Sequence, residues 1–104
     1  MTYTHIPNLA DPANIPAEGI LSRTVFNDDQ LKVVLFGFSV GEELSEHTAS
    51  MPAIIQIIAG EARLTLAGDT FDASAGTWMQ MPAQMPHSLY AKTPVIMLLL
   101  MMKE

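Results

Sequence analysis

Three side chains could bind a metal ion or move a proton near neutral pH: His5, His47 and His87. The chain has no cysteine, so thiolate chemistry and disulfides are excluded, and a metal must be held by histidine, carboxylate, amide or thioether. His47 follows the polar stretch "GEELSE" and precedes the apolar run "AIIQIIA"; His87 follows "MPAQMP" and opens "HSLYA". Each lies at the start of a β segment, after a loop of polar residues, Gly or Pro. Two such strands starting at one mouth of a barrel can aim both imidazoles at one point. The ordinary use of a lone strand histidine is packing or surface solvation; two in equivalent settings favour a shared site.

The elements that must position them are strands. "ILSRTVF", "QLKVVLFGFSV", "AIIQIIA", "EARLTLA", "TFDAS", "TWMQM", "HSLYA" and "VIMLLLMM" make about eight β segments, separated by turns such as "NDD" and "AGD". "EARLTLA" alternates cleanly, with Ala62, Leu64 and Leu66 on one face and Glu61, Arg63 and Thr65 on the other. "QLKVVLFGFSV" is apolar on both faces, so both are at least partly covered. No amphipathic helical period follows a helix-start signal, and "PAEGILS" has room for one helical turn at most. Short strands with frequent turns predict an all-β sandwich, barrel or jelly roll. Residues 1–19, with Pro7, Pro12 and Pro16, read as an extended N-terminal arm, and residues 20–104 as the β-barrel domain.

The spacings resemble the two motifs of the cupin family, specifically its small single-domain, RmlC-like members of the conserved-barrel type. The first motif is matched by Gly41, His47 and Gly60, but Ala49 occupies its second His place and Ala53 its Glu place. The second is matched by Gly76, Pro82 and His87, with Gln84 at a Gly place and Ala91 at an Asn place. The resemblance covers about residues 20–102 and implies a double-stranded β-helix, the jelly-roll cupin barrel. It also implies a divalent metal, Fe, Mn, Ni or Zn, held by three His and one Glu; here only His47 and His87 of that set remain. Such a pair would hold a metal weakly, with water in the open positions, or hold none. Iron and zinc sites generally use a third protein anchor.

Other side chains do not obviously complete the set. Gln56 has the strand phase opposite to Ala53, Ile55 and Ile57, so it should face away from an inward site. Glu46 is out of phase with His47, and His5 reaches the mouth only if the arm folds over it. The chain has eight methionines, with Met51, Met79, Met81 and Met85 in or beside the motif strands. Thioethers suit copper(I), although methionine more commonly fills irregular cores and adaptable pockets.

Small Ala49 and Ala53 leave room for an apolar pocket, with Ile55, Ile57, Trp78, Met79, Met81 and Tyr90 available to line it according to register. That pocket suits a small, partly apolar molecule bearing an acid or carbonyl group. Two functions compete. One is a metal-dependent oxygenase or isomerase acting on a small organic molecule; the other is a non-catalytic, metal-free protein that binds a small ligand. Metal-free proton shuttling by one histidine is a third, lacking an obvious carboxylate to orient it.

A net charge of −6 argues against nucleic acid and anionic membranes as partners. The longest apolar run, Val95–Met102, is far short of the roughly 20 residues of a membrane-spanning helix. The N-terminus lacks a signal-peptide pattern. A cytoplasmic protein is the expectation, and the resemblance implies a homodimer.

Overall fold

The computed structural model describes residues 2–103. A short 3-10 turn, Pro12–Asn14, lies in the N-terminal arm; nine strands follow. They are β1 (Ile20–Asn27), β2 (Leu31–Phe38), β3 (Glu43–His47), β4 (Ala53–Ala59), β5 (Glu61–Leu66), β6 (Asp69–Ser74), β7 (Trp78–Met81), β8 (His87–Ala91) and β9 (Val95–Met102). They form two antiparallel sheets, a five-stranded one in the order β1-β2-β9-β4-β7 and a four-stranded one in the order β3-β8-β5-β6. The all-β expectation holds. The additional strand is β3, whose sequence "ELSEH" carries one apolar residue, Leu44. It is an edge strand with one neighbour, so its exposed face needs no apolar pattern. His47 therefore ends its own strand and does not open the following one. "PAEGILS" forms no helix; the helical turn lies upstream, where the Asp11 carboxylate accepts from the Ala13 N–H at 3.0 Å.

The inner faces of the two sheets enclose the main core: Phe38, Ala53, Ile55, Ile57, Ala62, Leu64, Ala73, Met81, Leu89, Ala91, Val95 and Met97. Alternation produces this directly. Along β4, Ala53, Ile55 and Ile57 are buried while Ile54, Gln56 and Ile58 are only partly so. Each large side chain withdrawn from water, such as Phe38 or Ile57, contributes roughly 1.5–3 kcal/mol.

A second cluster, Val33, Leu35, Ile96 and Leu98, sits on the outer face of the five-stranded sheet, where Leu9 and Ile15 of the arm pack against it. This explains why β2 is apolar on both faces. The arm crosses β2 so closely that a Cβ on Gly37 would lie 1.8 Å from the Asn14 carbonyl oxygen. Downstream, the Gly19 carbonyl accepts from the Ser39 N–H at 3.1 Å. Gly37→Ala should lower stability by about 1–3 kcal/mol, the usual penalty of overpacking. Urea unfolding, with limited proteolysis of residues 2–19 as a reporter of arm release, checks this.

Candidate functional site

The two histidines at motif positions, His47 and His87, meet at the junction of β3 and β8. Leu44 pairs with Leu89, and three residues later His47 pairs with His87, only two residues back along β8. One extra residue is thus accommodated on β3, a β-bulge at Ser45–Glu46. Without it, Glu46 would take the inward phase of Leu44 and His47 would point out. With it, His47 faces the same way as His87, and the ring centroids are 4.1 Å apart at an interplanar angle of 56°.

Backbone carbonyls orient both rings. His47 Nδ1 lies 2.7 Å from the Ser45 carbonyl oxygen and His87 Nδ1 lies 2.9 Å from that of Met85. A carbonyl can only accept, so each Nδ1 carries the proton, and each neutral ring presents a bare lone pair at Nε2. Neither Nε2 has a protein partner among the described residues, and no fully buried side-chain nitrogen or oxygen there is left unpaired. The Nε2 of His87 therefore keeps access to open space although the residue is 94% buried, its exposure being 6%. His47 is exposed.

Behind the pair is a cavity of about 30 Å³ lined by Phe36, Leu44, His47, Ile55, Leu64, His87, Ser88, Leu89, Met97 and Leu99. That volume accommodates one small group, and apart from the imidazoles the inward side chains of its wall are apolar, Ser88 having the strand phase opposite to His87 and Leu89. A larger groove, about 360 Å³, lies elsewhere, between the arm and the outer sheet face; Thr4 is the one residue of its lining with a polar side chain. We place the candidate site at the smaller cavity, because the two motif histidines converge there.

Of the six residues offered for a pocket, Ile55 lines the cavity, Ile57 and Met81 are buried in the core beside it, and Met79 packs against that core. Trp78 and Tyr90 lie elsewhere. Trp78 pairs with Gln56 on the outer face and is 57% exposed; Tyr90 pairs with Arg63 and Glu43 on the outer face of the other sheet and is 40% exposed. The strand pleat decides this, since both neighbours of each inward residue must point outward. Phe36, Leu44, Leu64, Ser88, Leu89, Met97 and Leu99 were not foreseen in the lining; the alternation of β5 already offered Leu64, but the remainder needs cross-sheet placement.

The divalent ion implied by the motifs does not fit the donors present. Among the described residues no group of three or more His, Cys, Asp or Glu side chains comes together. Ala53, at the motif's Glu place, is buried between Met81 and Met101 on the neighbouring strands. Gln56 lies on the outer side, paired with Trp78 and Leu98, and His5 is exposed in the arm. Gln84, at a motif Gly place, keeps the backbone a glycine would adopt, with φ +68°, and its N–H donates to the Ala49 carbonyl at 2.8 Å. This bond joins the loop after β3 to the loop before β8. The carboxylates held below their usual range lie away from the site: Asp28, by the backbone N–H groups of Gln30 and Leu31, and Asp72, by the Lys92 ammonium.

The chain belongs to the cupin family: the family described as "Cupin domain" matches residues 34–102. Among solved structures it resembles a conserved protein of unknown function from Streptococcus pyogenes, at 28% identity and TM-score 0.84, covering 100% of this chain and 91% of that one. An RmlC-like cupin from Desulfovibrio desulfuricans aligns at 22% identity and TM-score 0.84, covering 96% and 97%. Salicylate 1,2-dioxygenase from Pseudoaminobacter salicylatoxidans aligns at 18% identity and TM-score 0.76 over 82% of this chain but 25% of its own, a likeness of fold alone. No curated protein matches. The chain thus folds as a small cupin domain with the double-stranded β-helix of that family. No helix among the described residues is long and apolar enough to cross a membrane.

The hydrogen-bond geometry makes a direct prediction. Long-range ¹H–¹⁵N correlation spectra above the histidine titration range should show both His47 and His87 as Nδ1–H tautomers. An Nε2–H pattern for either would mean that its carbonyl does not orient it.

Proposed function

We propose that the His47–His87 pair is the functional centre of a small-molecule-binding cupin, in which the two Nε2 atoms engage the polar end of a small, partly apolar ligand. The observation that carries this reading is the convergence of two oriented imidazoles on an apolar cavity with no third histidine or carboxylate grouped with them among the described residues. Burial of the ligand's apolar part in the cavity would supply affinity, and the imidazoles would supply orientation. The second reading is a metal-dependent oxygenase or isomerase with a weakly held Fe, Mn, Ni or Zn ion. It is favoured by the carbonyl bonds at Nδ1, the arrangement commonly found behind metal-ligating histidines.

Elemental analysis of tag-free protein, beside His47→Ala and His87→Ala, separates the two. The ligand-binding reading expects well under one equivalent of divalent metal and unchanged thermal stability when Fe, Mn, Ni or Zn is added. Stoichiometric divalent metal that either substitution removes would establish the second reading instead.

For the assembly we propose a homodimer through the outer face of the five-stranded sheet. Leu21 and Trp78 are 45% and 57% exposed, and Ile54, Ile58 and Leu100 are half-buried on that side. Multi-angle light scattering should give twice the monomer mass of 11.3 kDa, and Ile54→Glu should return it to the monomer value. A wild-type protein that is monomeric at high micromolar concentration refutes this.

A further inference from the structure

The groove between the arm and the outer face of the five-stranded sheet is shaped by a specific irregularity. Thr4, Ile6 and Leu9 of the arm form one wall; Val25 and Phe26 of β1 and Leu98 of β9 contribute to the other. β1 carries a β-bulge at this point. Arg23 pairs with Leu35 and Thr24 with Val34, but Phe26 pairs with Val33, so Val25 is the additional residue. Leu35 and Val33 both belong to the outer cluster, and residues paired across strands share a face. Regular alternation would turn the Phe26 ring toward the inner side of the sheet. The bulge turns it outward, so two successive apolar side chains line one groove. On the same side, the Arg23 guanidinium donates to Asn14 Oδ1 at 3.1 Å and ties the arm to β1.

The lining defines what fits. No charged side chain takes part, and the Thr4 hydroxyl is the one polar side-chain group. A carboxylate or phosphate entering the groove would lose water and meet no cation, on a chain whose net charge is −6. An ammonium would meet no carboxylate. A neutral apolar molecule escapes both penalties and gains about 25 cal/mol for each Å² it buries. An apolar cavity of about 150 Å³ holds one benzene ring. The groove, at about 360 Å³ and open on one side, therefore matches a molecule of two fused rings. Entry leaves the barrel undisturbed. Among the described residues, 2–7 make no hydrogen bond to the rest of the chain, and of these only Ile6 is half-buried.

We propose that this groove is a second binding site, separate from the histidine pair, for an uncharged apolar molecule of about two fused rings. Residues 2–7 close over the molecule as a clasp, Ile6 packing on it and the Thr4 hydroxyl taking up its one polar group. The outer-face patch proposed for the dimer adjoins the groove, since Leu100 pairs with Val33. A second copy of the chain is therefore the competing occupant, and the experiment distinguishes the two.

The full chain is titrated at neutral pH with 2-naphthol and, in parallel, with 2-naphthoate, an anion on the same ring system. Side-chain methyl groups and histidine rings are followed by NMR. One molecule of 2-naphthol per chain is expected, shifting the methyl groups of Ile6, Val25, Val33 and Leu98 and leaving the rings of His47 and His87 unmoved. 2-Naphthoate should bind about tenfold or more weakly. Val25→Trp fills the groove, and Ile6→Glu places a charge in the arm wall, outside the barrel, where it leaves the fold intact. Each should weaken 2-naphthol binding by about tenfold or more. Equal affinity for the two probes overturns the proposal, as does an affinity unchanged in both variants. Shifts confined to the histidine rings overturn it as well, while supporting the pair as the centre. If 2-naphthol does not bind and either variant instead halves the mass in light scattering, the groove is a subunit contact; absence of binding without that change also refutes the site.

Discussion

The pairing of β3 with β8 is the constraint on which the site depends. One additional residue at Ser45–Glu46 reverses the facing of everything after it, so that His47 joins the inward set to which Leu44 already belongs. The same irregularity supplies the carbonyl that holds the ring. Position, tautomer and direction of the His47 lone pair therefore have a common origin. His87 reaches the equivalent state by a different route, its carbonyl coming from the loop just ahead of β8.

Around that junction small apolar side chains, Ala49 and Ala53, stand at two of the motif's ligand places. Ala53 sits against Met81 and Met101, and Ile55 forms part of the cavity wall one inward position further along β4. What remains polar is small and directional. The loop frame that would hold a fuller set of ligands is nonetheless kept, down to the left-handed backbone at Gln84 and its bond to Ala49. The left-handed conformation costs a non-glycine residue on the order of 1 kcal/mol, which the closed loop offsets.

Much of the architecture was legible in the sequence because strand alternation is a local signal. The period of β5 and the apolar run of β9 needed no knowledge of their neighbours. The motif spacing located His47 and His87 within the same framework. β3 was not legible: its residues are mostly polar, since an edge strand has only one neighbour to satisfy. The bulge was equally hidden, because an extra residue declares itself only against a partner strand. The outward placement of Trp78 and Tyr90 has a similar cause. Both are large and partly apolar, yet each stands between inward residues, and alternation outranks residue type. Residues 1–19 were expected as an arm; that part of it covers the outer sheet follows from the packing of Leu9 and Ile15 and the close approach of Asn14 to Gly37.

The cavity is assembled from two sheets that make unlike contributions. Its two imidazoles, of His47 and His87, belong to β3 and β8 of the four-stranded sheet, which also contributes Leu44, Leu64 and Leu89, whereas Phe36, Ile55, Met97 and Leu99 come from β2, β4 and β9 of the other. The imidazoles thus lie on one sheet alone, while both sheets contribute to the apolar wall. Evolution, or a designer, can reshape the far wall through substitutions on the five-stranded sheet without touching the hydrogen bonds that aim the imidazoles. A lineage of such barrels could therefore diversify its ligands by volume first and by chemistry later.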